Sequence, residues 1–319
     1  MLKSVYHRPQ ARCLYHAIAK CGCNALMVLG TLVMGPGRAF ALDGSNTNAQ
    51  RNIATTHFAS GRQALQAGLD NLKAGNMEAS VAALTYAAAN GQPLARWKLG
   101  EMYAKGDGVP RDDFKAYHYF DQLVEDYDED QSDPQDLSAF SSAFVAVGVY
   151  CLSGIPNSDV RPDPRRAHEL FQYAATTFRD PNAQYNLARM YMVGAGSLAK
   201  DDIAAIRWLA LAAKQGHPPS QALLGHMLFM GDGVLDQRAR GLMWLEFAKD
   251  GAPDPKDQWI RELYQRDFQV ASDNDRRAAA AMLEALAKGT PSPIPAGSSV
   301  TSFLRPSNAP PTSSSPPAQ

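Results

Sequence analysis

The chain has 319 residues, with 31 basic and 32 acidic side chains and a formal net charge of −1. Residues 1–41 hold five of the basic ones, Lys3, Arg8, Arg12, Lys20 and Arg38, and no carboxylate, so the remainder carries 26 basic (31 less 5) against 32 acidic groups. An acidic balance of this kind argues against nucleic-acid binding, which needs clustered Lys and Arg to neutralise phosphates.

Residues 1–41 read as an export signal. A basic leader reaches Lys20, and an apolar run from Cys23 to Gly35, too short to span a bilayer comfortably, follows it. Ala39 and Ala41 then stand in the A-x-A pattern of a signal-peptidase site, so cleavage is expected after Ala41. A retained membrane anchor is the alternative, and Met1 at the N-terminus of the exported protein would reveal it. Cys13, Cys21 and Cys23 leave with the leader. Only Cys151 remains, so no internal disulfide is expected and packing must supply the stability. Cys151 itself is expected to be a buried small apolar residue.

Residues 42–57 are polar and are expected to be a flexible N-terminal segment. From 58 to 288 the chain is rich in Ala, Leu, Tyr and Trp, with punctuating glycines. Beyond Lys288 the residues 289–319 are mostly Pro and Ser; they cannot bury enough apolar surface to offset their ordering entropy, and a disordered tail is expected. No other segment is apolar enough to cross a membrane.

The middle region repeats. Ala-x-x-x-Leu-Gly-x-Met-Tyr-x-x-Gly runs from Ala95 to Gly106 and recurs, with changes, at Ala143–Gly154, Ala183–Gly194 and Ser220–Gly231. A second amphipathic segment follows each glycine. In it a small residue stands three before a bulky one: Ala116 and Tyr119, Ala167 and Leu170, Ala205 and Trp208, Gly241 and Trp244. A half-matching unit precedes the four copies and a degenerate one follows them. Ala95, Leu99, Met102 and Tyr103 fall at i, i+4, i+7 and i+8, one face of a helix. Small residues let helix backbones approach and large ones fill the groove between pairs. Gly-Asp-Gly-Val, at 106–109 and 231–234, is therefore read as an inter-helix turn. A phosphate loop would need Lys-Ser or Lys-Thr after it and a strand before it. Gly106 and Gly108 supply the positive φ that ends the first helix, and Asp112 or Asp113 can cap the second. The fold class is all-α: a solenoid of helix-turn-helix repeats over 58–288, about five units with a degenerate C-terminal cap.

These residues resemble the Sel1-like repeat family, relatives of tetratricopeptide repeats. The copy at Ala143–Gly154 departs from the pattern, because "IPNSDVRPDP" replaces Gly-x-Gly-Val. Longer strings, among them "YAAANGQPLARWKLGEMYAKGDGVP" and "QALLGHMLFMGDGV", resemble the branch of the family that represses exopolysaccharide production from the periplasm. That resemblance implies binding to the periplasmic domain of a membrane sensor histidine kinase, inhibition of its two-component system, and release by a periplasmic protease. The Pro/Ser tail is not part of that pattern.

No catalytic set stands out: there is no Gly-x-Ser-x-Gly elbow, and after processing no Cys-x-x-Cys. Five histidines lie beyond the leader, His57, His118, His168, His217 and His226, none in a helical zinc motif. Asp126, Asp128 and Asp130 match the start of a calcium loop, but Gln131 and Leu137 break it, so the run Glu125–Asp133 reads as a solvated loop. Its crowded carboxylates could attract a basic partner or respond to acid. The expectation is a binding protein without cofactor, metal, catalytic residue or small-molecule substrate. Expected contact positions, off the apolar stripe of the first helices, are Arg96, Lys98, Glu101, Gln184, Arg189 and His226. A general envelope scaffold and an exported hydrolase are the alternatives.

Overall fold

The computed structural model describes residues 58–288, apart from 131, 197 and 233–236. The export signal, the 42–57 segment, the 289–319 tail and the second Gly-Asp-Gly-Val turn beyond Asp232 lie outside the described residues. Among the described residues there are twelve α-helices and no strand. They come in antiparallel pairs: α1 (Gly61–Lys73) with α2 (Met77–Ala89), α3 (Pro93–Lys105) with α4 (Asp113–Asp126), α5 (Leu137–Ser153) with α6 (Pro164–Tyr173). The series continues with α7 (Pro181–Val193) and α8 (Asp202–Lys214), and α9 (Pro218–Met230) and α10 (Arg238–Asp250); beyond them α11 (Gln258–Val270) packs on α9 and α10, and α12 (Asp273–Ala287) packs on α10.

Local chemistry sets the boundaries. Pro93, Pro164, Pro181 and Pro218 occupy first-turn positions, where a missing N–H costs nothing. Asp112, Asp163 and Asp201 each accept the backbone N–H three residues on, capping α4, α6 and α8. At the other end Gly106, Gly194 and Gly231 close α3, α7 and α9 in the left-handed region, with φ of 80°, 69° and 72°. One backbone bond ties each turn shut. The amides of Asp112, Asp163, Asp201 and Gln237 donate to the carbonyls of Tyr103, Cys151, Tyr191 and Leu228, the same position of each copy. The bond persists at Asp163, although the insert 154–163 has replaced the glycine turn; Ile155 folds inward there and its amide donates to Val160.

The helices of a pair interlock at the Leu-Gly step. A Cβ at Gly100 would stand 2.3 Å from the Phe120 ring, and one at Gly148 would stand 2.5 Å from the Phe171 ring. Each glycine is thus the socket for an aromatic ring of the partner helix. In the third copy Ala188 and the smaller Leu209 hold these positions, both fully buried. In the fourth the fit tightens to backbone on backbone, Gly225 against Gly241. The residue that fills the groove is therefore Phe120, Phe171, Leu209 or Leu245, one position beyond the expected bulky residue; Tyr119, Trp208 and Trp244 are only half-buried. Burying such a ring contributes about 2–3 kcal/mol.

A second aromatic cluster lies under the acidic loop: Tyr127, Phe140, Phe144, Tyr173 and Phe178 meet with ring centroids 5.0–6.0 Å apart. A π-turn, Ala174–Phe178, widens the end of α6 and delivers Phe178 into it. Burial beside Tyr127 pushes the Tyr173 hydroxyl up to about 12, and that hydroxyl donates to Glu129 at 3.3 Å. Above the rings, Asp128 and Asp133 accept from the amides of Asp130 and Gln135, so these carboxylates organise a turn. Burial, with Asp133 nearby, raises the pKa of Asp136.

His217, just before α9, is a second titrating element. Burial lowers its pKa from 6.5 to about 4, against the opposing pull of Asp180 and Asp257. Its Nδ1 lies 2.8 Å from Ser220 Oγ, and its ring sits edge-on to Tyr185. The native imidazole is therefore neutral where the unfolded one would be charged. The stability this gives is full above about pH 6.5 and is lost as pH falls toward 4. Urea denaturation across that window should show wild type losing about 2 kcal/mol more than His217→Asn; equal slopes would remove the assignment.

Candidate interaction surface

On the first helix of each copy, positions three, six and ten after the leading Ala or Ser share one face, as i, i+3, i+7 spacing requires. On α3 these are Lys98, Glu101 and Lys105. Glu101 proves the geometry by accepting from Lys98 at 2.8 Å and Lys105 at 3.2 Å. Its burial opposes ionisation, but the two ammonium groups outweigh that and its pKa is lowered. On α5 the same face carries Ala146, Val149 and Ser153; on α7 Asn186, Arg189 and Val193; on α9 Leu223, His226 and Met230. Val149, Val193 and Met230 are 45%, 47% and 52% exposed, large apolar side chains left in solvent. The stripe thus begins as a charged triad and turns apolar along the array.

The expected contact residues divide on this frame. Lys98, Glu101 and Arg189 lie on the stripe. The Arg189 guanidinium sits 5.6 Å from the Tyr185 ring centroid, and its buried Nε has no hydrogen-bond partner among the described residues. Arg96 lies at the edge of its pair, in an ion pair with Asp126. Gln184 is 3% exposed, which corrects the expectation that it is off the apolar face. Its Nε2 donates to the carbonyl of Ala175 in the π-turn, and its Oε1 accepts from Gln215. Gln221, its counterpart one copy on, donates to Ala213. Both amides satisfy carbonyls near the end of the preceding helix, a structural task. His226 is also drawn inward: Nδ1 stands 2.6 Å from Oδ2 of the buried Asp267 on α11. The structure does not bring Lys98, Glu101 and Arg189 into one cluster; among the described residues no ion pair or hydrogen bond joins α3 to Arg189. The exposed apolar members were missed. Aligning the copies by their leading Ala puts Val149 in the column of Glu101 and Arg189, the signal that could have found it.

His217 and His226 face different partners, and among the described residues no cluster of three His, Cys, Asp or Glu side chains could hold a metal ion. Cys151 is buried, and burial raises its pKa.

The Sel1 repeat model matches residues 93–125, 143–176, 181–217 and 218–252. Over 257 residues the chain is 35% identical to the exopolysaccharide production negative regulator of Rhizobium leguminosarum bv. viciae, an alignment that covers 80% of this chain and 90% of that protein. The chain belongs to the Sel1 repeat family. The regulator of the same name from Rhizobium meliloti (strain 1021) is 33% identical with the same coverage. The four matched Sel1 repeats coincide with the pairs α3–α4, α5–α6, α7–α8 and α9–α10, so the pair α1–α2 precedes the Sel1 array and the helices α11 and α12 follow it. A Sel1 repeat protein from Oxalobacter formigenes shares the fold, with a TM-score of 0.53 at 20% identity, over 75% of this chain and 93% of that one. Among the described residues no helix is long and apolar enough to cross a membrane.

Proposed function

We propose that this protein is an exported negative regulator of exopolysaccharide production, which uses its repeats to hold the periplasmic domain of a membrane sensor histidine kinase in its inactive state. The export signal of 1–41, cleaved after Ala41, delivers it to the periplasm, and a periplasmic protease relieves the inhibition by removing it. Residues 42–57 and 289–319 flank the binding array. What supports the regulatory reading is the likeness, over four-fifths of the chain, to two proteins named as negative regulators of this process. What supports a protein partner is the set of equivalent positions on the first helices, where Val149, Val193 and Met230 stay half-exposed and the charged Lys98, Glu101 and Arg189 also fall. Stacked helix pairs present such stripes as an extended surface, and half-exposed apolar groups rimmed by charge are what a protein interface covers. In this reading Gln184 and His226 hold the array together, and Arg96 borders the surface.

Periplasmic crosslinking of the tagged chain, followed by identification of the captured protein, tests the reading. A membrane sensor kinase should be recovered. The triple variant Val149→Asp, Val193→Asp, Met230→Asp should cut that recovery at least about tenfold, while the unfolding free energy stays within about 1.5 kcal/mol of wild type because the positions are exposed. Capture of envelope-assembly proteins in place of a kinase would favour the scaffold. Undiminished recovery with the triple variant would sink the surface.

A further inference from the structure

The position six residues after the leading Ala or Ser is held by Glu101, Val149, Arg189 and His226, one from each Sel1 repeat. Two of the three ionisable members find their counter-charge inside the chain. Glu101 accepts from Lys98 at 2.8 Å and from Lys105 at 3.2 Å. Nδ1 of His226 stands 2.6 Å from Oδ2 of Asp267. Arg189 differs. Its helix α7 carries no carboxylate and no second basic residue. Among the described residues its guanidinium is in no ion pair and donates no hydrogen bond, and its Nε is closed off from water. A buried donor on a charged group is costly to leave unmatched, so the arrangement calls for an acceptor that the chain itself does not supply.

The surroundings state what kind of acceptor fits. Tyr185, Arg189 and Val193 fall at i, i+4 and i+8 of α7. The Tyr185 ring centroid lies 5.6 Å from the guanidinium carbon, and the same ring sits edge-on to His217. The flat cation is thus held against an aromatic ring before any partner arrives, which lowers the ordering cost of binding. One turn on, Val193 is 47% exposed. A planar fork of N–H donors beside an apolar side chain matches a carboxylate, which can accept two parallel hydrogen bonds from it. A phosphate group, with about −1.5 to −2 charges, would be only partly neutralised by the single cation of α7. We infer that Arg189 is the seat of an Asp or Glu side chain of the partner protein, with an apolar neighbour of that residue covering Val193. This rests on the reading of the stripe as the partner's surface, and it makes Arg189 the residue that selects an acidic segment.

Periplasmic crosslinking with the full exported chain, followed by charge reversal in the captured protein, tests the contact. Arg189→Gln should cut recovery at least about tenfold, the factor for one lost charge-assisted hydrogen bond. Arg189→Lys keeps the charge but not the fork and should fall in between. The urea midpoint of both variants should stay near the wild-type value, because only the ring contact is given up. Arg189→Glu should recover least. One Asp→Arg or Glu→Arg substitution in the captured protein should restore recovery with Arg189→Glu and weaken it with wild type. Recovery that Arg189→Gln leaves unchanged overturns the contact, as does a survey of the captured domain's acidic residues in which no reversal swaps the preference. A large drop in urea midpoint overturns it too, by making Arg189 a structural residue. A captured protein that obeys the swap but is not a kinase supports the contact and removes the kinase reading. Recovery of no protein with wild type overturns both.

Discussion

Gly241→Ala should destabilise the array by about 3 kcal/mol, and Gly241→Leu by enough to abolish cooperative folding of the C-terminal half. A Cβ at Gly241 would lie 2.5 Å from the Gly225 carbonyl oxygen and 2.7 Å from the Phe229 amide nitrogen, and one at Gly225 would lie 2.7 Å from the Gly241 carbonyl. No rotamer relieves a clash between backbones, so α9 and α10 must separate and unpack Leu245, Phe229 and Leu228, each at most 1% exposed. Gly216→Ala provides the control. No atom would come within 4 Å of its Cβ, and it bears only the cost of φ +80°, about 1–2 kcal/mol. Urea denaturation of both variants decides: a Gly241→Ala penalty no larger than that of Gly216→Ala would mean the helices part easily, and that the socket is not what fixes their spacing.

His226→Leu is expected to cost about 3 kcal/mol, because it strands a carboxylate that is 2% exposed. Asp267 has two partners, His226 Nδ1 at 2.6 Å and the half-exposed Arg266 Nε at 3.3 Å. Removing the first leaves Oδ2 without its close hydrogen bond in a site where water cannot replace it. The double variant His226→Leu, Asp267→Leu should recover most of the loss, since an apolar pair of similar size avoids desolvating the acid. A thermodynamic cycle over the four proteins measures the coupling directly. A single-variant cost below about 1 kcal/mol, or additive effects, would show that the pair does not dock α11 on α9.

Much of the fold was legible because helix chemistry is local. The 3.6-residue period of Ala95, Leu99 and Met102 marks a face that is fully buried. Asp112 and the left-handed Gly106 bracket the turn as their side chains, or lack of one, require. The recurrence of these marks set out the four central helix pairs, α3–α4 to α9–α10, in their order. The surface was less legible. Gln184 and His226 were taken for contacts because a polar side chain on a helix usually faces water. Each instead meets a specific partner, the Ala175 carbonyl or the Asp267 carboxylate, supplied by a neighbouring element. Val149, Val193 and Met230 were not among the expected contacts and stand half in solvent.

By itself, then, the sequence determined where helices begin, where they end and that they pair, since caps, glycines and periodicity act within a few residues of one another. Only the tertiary structure decided which polar groups are consumed inside the array, which apolar ones are left outside, and that a ring sits on Gly100 while a backbone sits on Gly225. Those outcomes depend on contacts between residues that local periodicity does not connect, and burial is a property of the partner that arrives as much as of the residue it covers.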